Sequence, residues 1–283
     1  MTASRRSAQH GRRRTRKPNP RRAARADRYA LYQRSVQEPE YDVSLIQRVF
    51  RRRHGRSARL LREDFCGTAH MACTWVLAHR ENRAFGIDLD PEPLAWGRQH
   101  NVAGLDPEQQ SRIKLIQGDV RDIGFEPVDV TLAFNFSYFI FRERAELVDY
   151  FRRVKGGLRP EGLFFLDAYG GADAFRTGPE TRKLDGFDYI WDQARVDPIS
   201  HAVRNYIHFR FPDGSRIQRA FEYDWRLWTL PELRDCLLDA GFREVEFYWE
   251  GTDRKTGDGN GSFTLRRSAA DDPAWVAYLA AVP

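Results

Sequence analysis

Three features of the chain combine residue types that bind nucleotides, and each follows a predicted strand. The strand at residues 60–65 turns through Cys66-Gly67-Thr68-Ala69, whose small side chains let a ligand approach backbone N–H groups. Asp88 ends the next strand, 21 residues after the glycine of that loop, where a carboxylate can accept both hydroxyls of a ribose. Asp119 follows a third strand and could accept a hydrogen bond from an adenine amine. Together, in this order, these features are far more specific than any one of them alone.

The elements that must position these residues alternate along the chain. Apolar residues at helical spacing predict helices, and short apolar runs predict buried strands. The predicted helices span 41–50, 68–79 and 142–154, with another starting at Asp90-Pro91, and the further strands span 84–87, 113–116, 128–134 and 163–166. Four or five successive βα units mean a mostly parallel, doubly wound sheet with helices on both faces.

The pattern changes between residues 189 and 225. Ile207, Phe209 and Phe211 alternate with other side chains, and Pro212-Asp213-Gly214 marks a turn. This predicts an inserted antiparallel hairpin, which we place as a lid at about residues 172–228. The α/β rhythm then resumes with the capping box Thr229-Leu230-Pro231-Glu232 and a late strand at 245–249.

In this order the motifs resemble those of class I S-adenosylmethionine-dependent methyltransferases. The matching segments are 61–69, 86–90, 118–120, 129–138, 157–162 and 230–248. They lie within about residues 58–171 and 226–249. The resemblance implies a Rossmann-like sheet of seven strands, mostly parallel with the last strand antiparallel, and S-adenosylmethionine as the cofactor.

The resemblance also implies cofactor contacts. Glu63 takes the motif's acidic position near the amino group of the cofactor, although a one-residue shift would give that role to Asp64. Asp88 would accept the ribose hydroxyls, Asp119 would meet the adenine amine, and Asn135 would lie close to the sulfonium. The other implied contacts are Phe65, Cys66, Gly67, Leu89, Val120 and, closing over the methionine end, Tyr32.

The cofactor loop departs from the family pattern of three glycines. Phe65 and Ala69 occupy the first and third glycine positions, and only Gly67 is kept. The assignment therefore depends on the position of the loop among the other motifs.

Methyl transfer from a sulfonium is an in-line displacement that mainly requires alignment of the nucleophile and exclusion of water. A general base is needed only if the acceptor is protonated. The motifs thus identify a cofactor, and the candidates for a catalytic residue are Tyr138, after the fourth strand, and His208 in the hairpin. Hairpin aromatics could wall a pocket for a small-molecule acceptor or form the core of the lid itself, and both interpretations stay open.

Two other functions stay open. The chain could methylate RNA or protein, with its Arg-rich N-terminus as a recruiting arm. More remotely, it could be a nicotinamide oxidoreductase or a non-catalytic cofactor binder. The oxidoreductase requires a G-x-G-x-x-G loop, where this chain has Phe-Cys-Gly-Thr-Ala-His.

The net charge of +6 is concentrated at the N-terminus. Residues 1–25 contain ten Lys or Arg and no Asp or Glu, so the other 258 residues carry a net charge of −4. We expect residues 1–25 to be a disordered tail ahead of one methyltransferase domain at 26–283.

The remaining composition bears on location and partners. No apolar run is long enough to span a bilayer, and three cysteines without CxxC spacing argue against a disulfide framework and a zinc site. We expect a soluble, cytoplasmic protein with no membrane contact and no metal. Nucleic acid could bind only through the tail, and an exposed hairpin edge allows a homodimer.

Overall fold

Capped helices and short apolar strands alternate through the computed structural model, which describes residues 21–122, 124, 126–253 and 259–283. Within these ranges the α-helices are α1 (Arg28–Val36), α2 (Pro39–His54), α3 (His70–Ala78), α4 (Pro91–His100), α5 (Pro107–Ser111), α6 (Arg144–Gly156) and α7 (Leu230–Asp239). The strands are β1 (Leu60–Asp64), β2 (Arg83–Asp88), β3 (Ile113–Gln117), β4 (Val128–Ala133), β5 (Leu158–Gly170), β6 (Gly178–Leu184), β7 (Phe187–Val196), β8 (Ala202–Arg210), β9 (Arg216–Arg226), β10 (Glu244–Thr252), β11 (Gly259–Arg266) and β12 (Trp275–Val282).

Local capping sets where several helices begin. Asp27, Asp90, Asp106 and Thr229 each accept a hydrogen bond from a backbone N–H inside the helix that follows. Such caps satisfy donors that have no partner within the helix. The predicted capping box of α7 is confirmed, because the side chains of Thr229 and Glu232 bond reciprocally to each other's backbone N–H.

The central sheet has the strand order β11-β10-β12-β5-β4-β1-β2-β3. β1 to β5 pair in parallel, and β12 is inserted antiparallel between β5 and β10. The expected mostly parallel, Rossmann-like sheet is confirmed. β11 adds an eighth strand at the edge, beyond the seven that the resemblance implies. The chain order reverses between β1 and β4, which is where a sheet of this kind binds ligands.

Helices cover both faces of the central sheet, as predicted. Apolar residues of α2, α3 and α4 pack on one face, and those of α6 and α7 pack on the other. Ile46, Phe50 and Trp75 are fully buried on the first face, and Phe151 and Leu237 on the second. Nowhere in the described ranges is a helix both long and apolar enough to cross a membrane.

The predicted hairpin is part of a four-stranded antiparallel sheet with the order β6-β7-β8-β9, here called the lid sheet. One face of the lid sheet has its own apolar cluster, which includes Phe187, Phe209 and Phe211, and Leu31 of α1 packs into this cluster. The N-terminal helix therefore closes the core of the lid sheet.

The segment just ahead of α1 is anchored to the turn between β8 and β9. The Arg22 N–H donates to Asp213 at 2.9 Å, and the Ala23 N–H donates to Ser215 Oγ at 3.1 Å. Residues 22–25 form one turn of 3₁₀ helix, so these residues of the expected disordered tail are held by the lid sheet. The rest of that prediction, residues 1–20, lies outside the described residues.

Candidate functional site

The loop between β1 and α3 lies at the switch point and has a strained backbone. Phe65, Gly67 and Ala69, at the three glycine positions of the family loop, have φ values of 57°, 51° and 57°. This left-handed conformation costs a non-glycine residue about 1–2 kcal/mol. The half-buried Phe65 ring packs against Phe141 and Tyr150 with centroid distances of 6.0 and 5.8 Å. Full burial of such a ring stabilises by roughly 1.5–3 kcal/mol, and half burial by a part of that. Packing therefore offsets part of the backbone cost at Phe65.

The Asp88 carboxylate is held at the end of β2 by the same loop. Its Oδ2 accepts a hydrogen bond from the Gly67 N–H at 2.7 Å, and its Oδ1 accepts one from the Asp90 N–H at 2.9 Å. The space beside Gly67 is open, because a Cβ added there would have no atom within 4 Å. A fixed carboxylate beside a bare glycine backbone forms a cradle that fits a ribose.

Two adjacent acids at the end of β1, Glu63 and Asp64, could take the acidic position of the motif. Asp64 accepts hydrogen bonds from Arg62 Nε at 2.6 Å and from Tyr150 Oη at 2.8 Å, so it belongs to an internal network. Glu63 accepts one from the Ala72 N–H at 2.9 Å, and burial raises the pKa of Glu63 to about 8. A cationic amino group nearby would offset the free-energy cost of burying the Glu63 carboxylate in its charged form. The geometry favours Glu63, whose contact with the cofactor stays a prediction.

A cavity of about 460 Å³, here called the donor cavity, opens in front of this loop. This volume is ordinary for a small-molecule site. Seven of the ten predicted cofactor residues line it: Tyr32, Glu63, Phe65, Cys66, Gly67, Asp88 and Asn135. The tertiary fold thus brings together side chains from α1, β1, β2 and the segment after β4.

The other three predicted cofactor residues lie outside the wall of the donor cavity. Leu89 is 66% exposed just beyond β2, and Val120 is buried in the core. Asp119 accepts hydrogen bonds from the Arg121 guanidinium at 3.0 and 2.7 Å, which lowers the pKa of Asp119. Their adenine contacts stay predictions, and an adenine amine would have to share the Asp119 carboxylate with Arg121.

The two candidates for a catalytic residue, Tyr138 and His208, lie outside the wall of the donor cavity, and a catalytic role for either stays a prediction. Tyr138 is fully buried, and its hydroxyl donates to the Asp167 carbonyl at 2.7 Å. His208 Nδ1 accepts a hydrogen bond from the Arg219 N–H at 2.8 Å, within the pairing of β8 with β9. Neither residue lines the donor cavity or the cavity next to it. Strand alternation points His208 away from Ile207, which does line that second cavity.

The second cavity, of about 640 Å³, adjoins the donor cavity and is here called the acceptor cavity. It lies between the lid sheet and the carboxyl ends of β4 and β5, with α2 and β12 on its other sides. The two cavities share six wall residues: Tyr32, Gln37, Phe134, Asn135, Tyr223 and Trp225. The two cavities therefore adjoin each other around these six residues.

The aromatic residues of the lid sheet serve both of the roles that sequence left open. Tyr189, Trp191, Tyr223 and Trp225 line the acceptor cavity, whereas Phe209 belongs to the core of the lid sheet. Position along one face of the sheet explains the division, because Tyr189 pairs with Phe209 and their side chains point to the same face, where Leu31 of α1 packs into the cluster around Phe209. The lid sheet is thus a packed unit with one aromatic face toward the cavity.

Three polar residues of the acceptor cavity escape sequence reasoning: Asp42, Asp167 and Tyr278. Asp167 accepts hydrogen bonds from the N–H groups of Asn135 and Phe136 at 2.8 and 2.9 Å, which holds the segment after β4. The sequence could have indicated Asp167, because it lies near the carboxyl end of a strand, as Asp88 does. Asp42 lies in a helix whose apolar spacing predicts only a packing role. No strand is predicted from the sequence around Tyr278.

Comparison with known proteins agrees with this geometry. Residues 65–162 match the family model of a methyltransferase domain. No curated protein matches the chain.

The fold is similar to that of solved methyltransferases. An S-adenosylmethionine-dependent methyltransferase from Clostridium acetobutylicum ATCC 824 has a TM-score of 0.63 and 16% identity, over 90% of this chain and 97% of that one. DesVI of Streptomyces venezuelae has a TM-score of 0.64 and 20% identity, over 90% and 96%. KedS8, a sugar N-methyltransferase from Streptoalloteichus sp ATCC 53650, has a TM-score of 0.60 and 16% identity, over 97% and 99%. At these identities the likeness shows a shared fold.

Proposed function

We propose that this chain, a class I S-adenosylmethionine-dependent methyltransferase, transfers a methyl group to a small-molecule acceptor by in-line displacement. The observation that carries the proposal is the shared wall of the donor and acceptor cavities. In-line displacement needs donor and nucleophile on opposite sides of one carbon atom, in a space that excludes water. Two adjoining cavities under one lid sheet provide neighbouring sites for the donor and the acceptor.

In the donor cavity, Asp88 and the Gly67 backbone would hold the ribose, and Glu63 would face the amino group. When bound, S-adenosylmethionine supplies an electrophilic methyl group. Asn135, in the shared wall, would lie beside the sulfonium. Asp167 fixes the Asn135 backbone and thereby positions this boundary.

The acceptor cavity supports a small molecule as the substrate. Its volume of about 640 Å³ lies within the usual range of small-molecule sites. Its walls are aromatic faces with a few polar groups, which is the usual composition of such sites. Two of the structurally similar enzymes are named for sugar acceptors, the amino pentose methyltransferase CalS10 and the sugar N-methyltransferase KedS8.

Calorimetric titration with S-adenosylhomocysteine and with NAD tests the proposal. We expect the wild type to bind S-adenosylhomocysteine and not NAD, and Asp88→Ala to weaken binding at least tenfold, which corresponds to about 1.4 kcal/mol. Asp106→Ala is the matched control, since it also removes a carboxylate that accepts backbone hydrogen bonds, but at the start of α5. Preference for NAD, or unchanged affinity in Asp88→Ala, would contradict the proposal. Methyl transfer to a small-molecule panel separates an enzyme from a non-catalytic binder.

The location and assembly of the protein are further parts of the proposal. A reducing cytoplasm is supported by Cys66, Cys73 and Cys236, which are free and buried. A homodimer stays a prediction, for which β6 offers an edge with one pairing partner, β7. The alternative acceptors, RNA or protein, depend on residues 1–20 and are tested by truncation below.

A further inference from the structure

Acidic side chains outnumber basic ones in the wall of the acceptor cavity. Five carboxylates line it, from Glu38, Asp42, Asp167, Glu180 and Glu250, against the two guanidinium groups of Arg34 and Arg182. Both cations are engaged with other groups. Arg34 donates to the Asp185 carbonyl at 2.8 Å, and Arg182 lies 5.3 Å from the ring centroid of Tyr189. The cavity is thus suited to a cation.

Aromatic rings surround these carboxylates on two sides. On the lid side, Tyr223 lies 4.3 Å from Trp225 and 5.9 Å from Trp191, measured between ring centroids. On the opposite side, the Tyr278 ring lies 4.7 Å from Phe263. The faces of such rings attract cations, and more strongly where water is excluded.

Asp42 is the carboxylate best placed to meet a ligand. Asp167 already uses both oxygens for the N–H groups of Asn135 and Phe136. Asp42 lines the cavity from the first turns of α2, and its Oδ1 accepts a hydrogen bond from Tyr278 Oη at 2.7 Å. A hydrogen bond from a neutral hydroxyl orients the carboxylate without neutralising its charge.

We infer that the acceptor is an amine that enters as its ammonium form, with the Asp42 carboxylate as its counter-ion and proton acceptor. This inference rests on the proposed function. The ammonium gives one proton to Asp42, and the freed nitrogen lone pair forms the bond to the methyl carbon. The electrons of the broken carbon–sulfur bond stay on sulfur, so that S-adenosylhomocysteine and the methylated ammonium are the products.

The surroundings of Asp42 support the proton transfer. Burial raises the pKa of Asp42 to about 7, and the nearby carboxylates of Glu38 and Glu40 act in the same direction. The other ionisable groups around it are Glu63 of β1, Asp167 of β5 and Tyr278 of β12. A carboxylate of raised pKa is closer to an amine in proton affinity than an exposed aspartate, so the transfer costs less.

The test compares amines with neutral molecules of the same shape. Cyclohexylamine is paired with cyclohexanol, and glucosamine with glucose, each titrated calorimetrically into protein saturated with S-adenosylhomocysteine. We expect at least one amine to bind at least tenfold more tightly than its partner, and Asp42→Asn to remove that advantage. Glu40→Gln is the matched control, because it removes a carboxylate from the same helix that is exposed and does not line the cavity.

Two failures are distinguishable. If the wild type does not bind S-adenosylhomocysteine, the proposed function fails and the inference falls with it. If that binding is normal in all three proteins, the inference alone is overturned by either of two results. One is that neither amine binds more tightly than its neutral partner. The other is that Asp42→Asn loses no more of the amine affinity than Glu40→Gln does. Equal binding of S-adenosylhomocysteine also shows that Asp42→Asn is folded.

Discussion

Three residues of the loop between β1 and α3 share one backbone conformation but tolerate it for different reasons. Gly67 adopts it freely, Phe65 is held by ring packing, and Ala69 is fully buried at the start of α3. The family's glycine pattern therefore describes a backbone shape that other residues can adopt when packing supports it. Gly67 differs because its missing side chain also leaves space in the donor cavity.

Gly67→Ala separates these two effects. A methyl group there enters the donor cavity, so we expect affinity for S-adenosylhomocysteine to fall about tenfold, besides a stability loss of about 1–2 kcal/mol from the left-handed backbone. Gly55→Ala is the control, since Gly55 also has a positive φ and an open Cβ position but ends α2 away from the cavity. Urea unfolding and calorimetry measure both quantities. Equal loss of ligand affinity in the two variants would show that the methyl group acts only on the backbone.

Three acids of raised pKa make stability depend on pH. Burial raises the pKa of Asp42 and of Asp167 to about 7 and that of Glu63 to about 8. The folded state therefore binds these protons more tightly than the unfolded chain, so their contribution to stability is full below pH ~4 and is lost as pH rises through 7 and 8. We expect the ligand-free protein to be less stable near pH 8 than near pH 6.

Asp42→Asn isolates one contribution to this pH dependence. Between about pH 6 and pH 8 the variant should lose roughly 1 kcal/mol less stability than the wild type, because one titrating group of raised pKa is gone. Urea unfolding at the two pH values measures the difference. Glu40→Gln, on the same helix, should change the slope much less, because it removes only the smallest of the causes that raise the pKa of Asp42. An unchanged slope in Asp42→Asn would mean that its carboxyl group titrates as an ordinary surface acid.

At the scale of elements, α4 approaches the cofactor loop closely because it contains a glycine. A Cβ added at Gly97 would overlap the carbonyl of Thr68. The Asn101 side chain also donates to the Thr68 carbonyl, at 2.8 Å. The helix therefore packs directly against the loop. The absence of a side chain at Gly97 sets the distance between them.

Gly97→Ala should push α4 away from the loop. We expect a stability loss of about 1–3 kcal/mol, the usual cost of overpacking, and weaker binding of S-adenosylhomocysteine, since Thr68 lines the donor cavity. Gly104→Ala, beyond the same helix, is the control because a Cβ there has no atom within 4 Å. Denaturant midpoints and calorimetry give both numbers. Wild-type values for Gly97→Ala would mean that the helix shifts at no cost.

Some elements were predictable from local sequence, and others form only because a neighbour is present. Caps and apolar periodicity predict α2, α4, α6 and α7 and the five parallel strands. β6 is the exposed, charged segment Gly-Pro-Glu-Thr-Arg-Lys-Leu, and β11 is rich in glycine and polar residues. Neither has the apolar alternation of a strand. They are strands because β7 and β10 provide backbone partners in register.

At the scale of the whole molecule, the N-terminal region connects the lid sheet to the cofactor loop. Leu31 packs into the core of the lid sheet, and Gln33 donates to Thr68 Oγ1 at 2.7 Å. Arg22 and Ala23 bind the turn between β8 and β9. The N-terminal region therefore contributes Tyr32 and Gln37 to the common wall of the two cavities and is itself anchored at residues 22 and 23.

Truncation tests what the Arg-rich segment contributes. We expect removal of residues 1–20 to leave unfolding temperature, turnover and its salt dependence unchanged, whereas removal of residues 1–25 should lower the unfolding temperature by breaking contacts with the lid sheet. Thermal unfolding and methylation assays at two salt concentrations measure these effects. If the basic arm recruits RNA or protein, the shorter truncation will lower both affinity for a polyanion and its salt dependence.

The sequence by itself predicted the alternation of helices with the five parallel strands, the cofactor class, and seven of the residues that line the donor cavity. The alternation follows from short-range signals, namely caps and periodicity, whereas the cofactor class and its contact residues are what the resemblance to class I methyltransferases implies. Only the tertiary structure decided that Asp42, Asp167 and Tyr278 meet in an acceptor cavity, because they lie 125 and 111 residues apart along the chain. The tertiary structure also placed Tyr138 in the core. The side chains after β4 divide between core and cavity according to backbone angles, which residue types do not reveal.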